Sequence, residues 1–130
     1  MLFDNSSFGR LQILGRALQN MKVITEHKTA YITLTQDELN SFGYVKGDTE
    51  GIVNYGLSIK GIVFAAIFIE NKEEKIIKIS FRSQGDFDVN QFARDYFNGG
   101  GHRNAAGGKS EVSMEETIRK FEDLVTKLSI

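Results

Sequence analysis

Residues 97–108, FNGGGHRNAAGG, set three glycines before a histidine and an arginine, and two more glycines soon after. Glycine inside an element costs roughly 0.5–1 kcal/mol relative to alanine, so this much backbone freedom beside one ionisable ring needs a reason. Successive amides in glycine-permitted conformations form a concavity that binds anions. His102 and Arg103 stand where they add charge, and small Ala105, Ala106 and Gly107 let the segment pack closely beneath a bound group. A plainer reading also stands: Gly99 is the left-handed residue that ends the preceding helix. That accounts for one glycine, or two. The residues therefore predict phosphate or carboxylate binding by Gly99, Gly100, Gly101 and His102, with a structural turn as the alternative.

Arg82 is the second candidate anchor. It closes the run KIIKISFR and is followed by Ser83 and a glycine turn, a position from which a guanidinium can present a two-pronged fork to a phosphate. A surface ion pair at a strand end is the competing explanation. Neither nucleotide fingerprint applies to the glycine segment. GGKS (107–110) would need a glycine five positions before Gly108, where Arg103 stands, to be a P-loop. A dinucleotide fingerprint begun at Gly99 meets Asn104 at its last glycine position and follows a helix instead of a strand. Asp48 and Glu50 read as a solvated turn with a helix cap. His27 sits in a polar Glu-His-Lys turn and is assigned no role. With two separated histidines and no cysteine, the sequence assembles no catalytic metal centre.

The elements that must hold these residues follow from periodicity and caps. Phe8, Leu11, Leu14, Leu18 and Met21 recur at three and four, predicting a helix over 7–21 with Ser6 or Ser7 as N-cap. Residues 28–35 alternate as a strand, and Thr35 with Glu38 forms a capping box for a short helix through Phe42, stopped by Gly43. In 47–61, Asp48 or Thr49 is expected to cap a helix carrying Ile52, Val53 and Leu57. Residues 62–70 are nearly all apolar and predict a central strand covered on both faces. Residues 71–74 turn the chain into a strand over 75–82. There Lys78, Ser80 and Arg82 share one face and Ile77, Ile79 and Phe81 the other. Asp88 and Gln91 predict a capped helix through Phe97, and residues 107–112 a short edge strand. Ser113 with Glu116 caps a last helix striped by Met114, Ile118, Phe121, Val125 and Leu128. The fold class expected is α/β, a single domain with a small mixed sheet flanked by helices and preceded by one further helix.

Bulk composition narrows the partners. The length of 130 residues suits one domain with a core of its own. A net charge of −1 leaves no broad basic field for gripping a duplex, so any phosphate contact comes from a few placed groups. The absence of cysteine fits a reducing compartment, and no apolar run approaches a membrane span or a signal sequence. A cytoplasmic protein without membrane contact is expected.

The segment GGGHRNAAGG, preceded by ISFRSQGDFDVNQFA and GDTEGIVNYGLSIKGI, resembles the C-terminal DHH-associated domain of the DHH phosphoesterases. The branch it is most similar to contains the bacterial oligoribonucleases, which also remove the 3′-phosphate of pAp and have been labelled exopolyphosphatase-related. The resemblance runs over residues 30–130 in order. It implies a two-domain hydrolase whose N-terminal domain carries an Asp-His-His motif and two manganese ions, and whose C-terminal domain binds the substrate's phosphate and base. By motif, Gly99, Gly100, Gly101 and His102 would be the phosphate loop, with Arg82 and Ser83 a second substrate contact. No Asp-His-His sequence occurs in this chain. The expectation is therefore a substrate-binding portion of a longer protein, with residues 1–27 as connector helix and turn and 28–130 as the DHH-associated domain. No cofactor and no catalytic residue is expected in this chain, which should be inactive alone. Its expected partners are a short oligonucleotide or nucleotide phosphate and the N-terminal DHH domain. A free-standing nucleotide- or single-strand-binding regulatory module is the runner-up, and an enzyme using His102 as acid–base or nucleophile comes third. Related loops in single-strand exonucleases and alanyl-tRNA synthetases mean that the loop by itself does not fix the substrate.

Overall fold

A computed structural model describes residues 7–130; Ser6, the alternative first cap, lies outside the described residues. Ser7 fills that position, its side chain accepting from the Arg10 amide, and opens α1 (Phe8–Asn20). The chain continues through β1 (Lys22–Ile24), a 3-10 turn (Thr25–His27), β2 (Thr29–Leu34), α2 (Gln36–Ser41), α3 (Asn54–Leu57), β3 (Phe64–Asn71), β4 (Ile76–Ser83), α4 (Val89–Tyr96), β5 (Gly100–His102), β6 (Ala105–Ser110) and α5 (Met114–Val125). The strands form one sheet in the order β1-β2-β3-β4-β6-β5. Only β2 and β3 run parallel; the other neighbours are antiparallel. The expected α/β fold with a mixed sheet is what the chain adopts.

Side-chain alternation on the central strands divides the core in two. Tyr31, Phe64, Phe68, Ile77, Ile79 and Phe81 face α4 and α5, where they meet Val89, Phe92, Phe97, Phe121 and Val125. Phe121 is fully buried, its ring centroid 5.0 Å from Phe68 and 5.7 Å from Phe64. Truncating it to alanine strips packing from several rings at once and should cost about 3–5 kcal/mol. On the other face Ile32, Leu34, Ala65 and Ile67 pack against Ile13 and Ala17 of α1, Leu39 of α2, and Ile52 and Val53 of the segment leading into α3. This second layer lies mainly over β2 and β3, and α3 also reaches the end of β4. On the same face of β4 and β6, Ser80, Arg82, Ala105 and Gly107 are half-buried, and Lys78 and Lys109 are exposed.

Several expectations change. The helix expected in 47–61 is confined to α3, because the Asp48 carboxylate is engaged by the Val45 amide at 2.9 Å and Gly51, at φ 81°, keeps residues 45–53 in successive turns. β6 is an interior strand and not an edge, since β5 pairs along its far side. Asp88 caps α4 through the Gln91 amide at 3.1 Å, but the Gln91 side chain binds Asp95, so the reciprocal half of the box is missing. The capping boxes at Thr35–Glu38 and Ser113–Glu116 form as expected.

Candidate functional site

The glycine segment is a β-hairpin, β5–β6, turning at Arg103 and Asn104. The helix before it ends on Asn98, the residue with left-handed φ (51°), while the Gly99 amide returns to the Ala93 carbonyl at 3.2 Å. Gly99 is demanded by proximity: a Cβ there would lie 1.8 Å from the Gly107 carbonyl oxygen. Gly101 combines φ 157° with a notional Cβ only 2.7 Å from the Ala105 oxygen, and at Gly108 the Phe97 oxygen would be equally close. Gly100 differs, since its nearest neighbours are the movable side chains of Asn90 and Arg94, at 3.2 and 3.3 Å. Close approach of backbones thus accounts for Gly99, Gly101 and Gly108. One of the amides, that of Gly101, donates to Asn90 Oδ1 at 2.8 Å.

The hairpin tip is clamped to the end of β4. Asn104 Nδ2 donates to Ser83 Oγ (2.9 Å) and to the Gly85 carbonyl (3.2 Å), and the Ser83 hydroxyl donates to the Phe87 carbonyl at 2.7 Å. The Arg103 carbonyl accepts from the Val89 amide at 2.8 Å, and its guanidinium donates to the Asp86 carbonyl at 3.2 Å. Ser83 is only 6 % exposed. In this arrangement it fixes the loop and turn rather than meeting solvent.

Arg82 and His102 are brought into one row. Arg82 on β4 pairs with Ala105 on β6, which pairs in turn with His102 on β5. The two therefore lie two strand spacings apart, about 10 Å between backbones. His102 is exposed and Arg82 half-buried. Arg82 Nη1 donates to the Phe81 carbonyl at 2.9 Å, which anchors the guanidinium without neutralising it. The ion pairs among the described residues are Arg16–Glu38, Lys72–Asp37 and Arg119–Glu115, so Arg82, His102 and Arg103 carry no acidic partner there. Such a row offers charge and hydrogen-bond donors to an anion lying on the sheet. Among the described residues no three His, Cys, Asp or Glu side chains gather as ligands for a metal ion, and no helix is long and apolar enough to cross a membrane.

Sequence reasoning singled out Arg82, Ser83, the glycines and His102 as candidates, and did not single out Asn90 and Asn104, which hold the hairpin. Asn104 carried a usable signal: an asparagine in a two-residue link between short runs of small residues favours a hairpin turn. Asn90 carried none, because its partner amide is eleven positions away.

A mixed sheet with helices packed on both faces and a glycine-rich hairpin at its edge defines an α/β domain. The DHHA1 domain profile matches residues 20–128, and the chain belongs to that family, a component of the DHH phosphoesterases. An exopolyphosphatase-related protein from Bacteroides fragilis superposes with a TM-score of 0.91 at 44% identity, over 97% of this chain and 36% of its own. A pGpG-specific phosphodiesterase, PggH, from Vibrio cholerae shares the fold at 16% identity, with a TM-score of 0.63 over 92% of this chain and 38% of its own. The chain thus spans little more than a third of the solved relatives it matches. No curated protein matches it.

Proposed function

We propose that this chain is the substrate-recognising portion of a manganese-dependent phosphoesterase acting on short oligonucleotides or small nucleotides such as pAp. The observation that carries this reading is the register row Arg82–Ala105–His102, two side chains able to donate to an anion that have no acidic partner among the described residues. A substrate phosphate would sit over Ala105, taking charge-assisted bonds from Arg82 and a hydrogen bond from His102. Gly99, Gly100 and Gly101 would let it approach the backbone, and Ser83 would serve by holding the turn. Catalysis by placement is the role such a surface can perform. The described residues do not fit a metal centre, so the two manganese ions would be held in an N-terminal DHH domain of the longer protein. α1 would lead in from that domain; it leaves Phe8, Leu11 and Leu18 exposed.

The relative from Bacteroides fragilis, of which this chain matches about a third, supports a longer protein, and the family supports a hydrolase. The test is direct. Purified chain should bind pAp or a 5′-phosphorylated dinucleotide, and His102→Ala should weaken that binding at least fivefold. With manganese and either ligand added, the chain alone should release no product. Unchanged affinity in the His102 variant refutes the phosphate site; turnover abolished by a chelator refutes the division of labour.

A further inference from the structure

Lys78 on β4 lies directly opposite Lys109 on β6 in the register. Both are exposed, and neither forms an ion pair among the described residues. Like charges placed opposite one another on neighbouring strands are unfavourable, so this pair is a position where an anion would relieve repulsion. It stands four residues along β4 from Arg82, about 13 Å at the antiparallel rise per residue. Between the two cationic rows lie Ser80 and Gly107, themselves cross-strand partners, so no bulky side chain blocks the path. Beside the lysines the surface opens into a groove of about 320 Å³ floored by backbone of Gly99, Gly100, Gly107 and Gly108. A floor without side chains leaves flat peptide surface that a planar ring can lie against.

We infer that Lys78 and Lys109 form a second phosphate subsite, making this face of β4 and β6 a track for a short single-stranded oligonucleotide. This rests on the reading of the Arg82–His102 row as the first phosphate site. The separation of about 13 Å exceeds what one phosphodiester link spans, and a chain of several nucleotides bridges it. The second subsite therefore serves oligonucleotides and not dinucleotides or pAp, and it supplies a length preference within the proposed substrate class.

The experiment measures binding of a 5′-phosphorylated dinucleotide and of a pentanucleotide to the full 130-residue chain at several salt concentrations. It compares the wild type, the double variant Lys78→Gln with Lys109→Gln, and Arg82→Ala. The double variant should bind the pentanucleotide several-fold more weakly, with a salt slope shallower by about 0.7 for each phosphate it no longer neutralises. It should bind the dinucleotide as wild type does, and Lys78→Arg with Lys109→Arg should restore the pentanucleotide. Its melting temperature should equal or exceed that of wild type, since the repulsion is gone. If the double variant keeps wild-type affinity and slope for the pentanucleotide while Arg82→Ala weakens both ligands, the second subsite is refuted and the first stands. If Arg82→Ala changes neither ligand, or wild type binds neither, the first site fails and this inference with it.

Discussion

Arg82 and His102 share a neighbour: Ala105 pairs with Arg82 on one side and with His102 on the other. Two candidate binding groups 20 positions apart in sequence are thereby held by three hydrogen-bonded strands, a mount stiffer than a loop. The methyl group of Ala105 between them leaves room above it for a ligand. Arg82→Ala should weaken nucleotide binding roughly ten- to a hundredfold, the consequence of losing hydrogen bonds from a charged group. Lysine should rescue only part of this, because an ammonium cannot reproduce the planar fork. Calorimetric titration measures the first effect. Thermal melting should show a change within about 0.5 kcal/mol, as for a surface position. A large melting loss with binding retained would make Arg82 a structural residue.

The glycines should separate into two groups when each is replaced by alanine. Gly99→Ala and Gly101→Ala drive a Cβ into backbone atoms at 1.8 and 2.7 Å, where strand pairing leaves no room to yield. Each should destabilise the fold by about 1–3 kcal/mol or more. Gly100→Ala meets only side-chain atoms of Asn90 and Arg94, which can rotate aside, so its melting point should stay near that of wild type. Denaturant titration of the three variants checks the ordering. A loss at Gly100 equal to that at Gly99 would contradict it.

Caps and alternation make most of the fold legible. The Thr35–Glu38 and Ser113–Glu116 pairs fix helix starts locally, and the alternation of Ile77, Ile79 and Phe81 with Lys78, Ser80 and Arg82 names the buried face of β4. What stays hidden depends on distant partners. β1 and β5 are three residues each, too short to carry a period, and exist because β2 and β6 offer them a ladder. The segment Gly99–Gly101 reads as a free loop because nothing local reveals the Gly107 carbonyl beside it. For the same reason alternation assigns Lys78 to the correct face but cannot show that Lys109 stands opposite it.

Asn104 joins three stretches of chain through Ser83 and Gly85. Asn104→Ala removes both donors and leaves the buried Ser83 hydroxyl with one fewer partner. A stability loss of about 1–3 kcal/mol follows, together with faster amide exchange at the turn residues Arg103 and 104 and in the 84–88 loop. Hydrogen exchange read residue by residue measures it, and exchange spread evenly over the domain would refute a local clamp. Because the turn carries His102 at its base, nucleotide affinity should fall in the same variant, and Asn104→Asp should restore neither property, since a carboxylate cannot donate to the Gly85 carbonyl.

Glu38 gives the domain a defined response to acid. Burial pushes its carboxyl group up, but hydrogen bonds from Asn20, from the Thr35 amide and hydroxyl, and from Arg16 outweigh that and hold it below the ordinary carboxylate value of 4.5. The Asn20 amide reaches Oε2 at 2.9 Å and also donates to the Thr33 carbonyl at 2.9 Å, so the carboxylate ties α1 to the start of α2 while Asn20 itself joins α1 to the end of β2. As pH falls, the unfolded chain takes up this proton before the folded one does. The stabilisation is therefore complete above the ordinary carboxylate range and drains away as pH falls through the lower, folded value. Glu38→Gln keeps one acceptor oxygen and loses the charge, so at pH 7 it should be less stable by about 1 kcal/mol. Its difference from wild type should narrow steadily as pH falls below about 4.5. Melting curves of both proteins from pH 7 down to pH 3 test this, and a constant difference over that interval would mean that the carboxylate's charge contributes nothing to holding α1 in place.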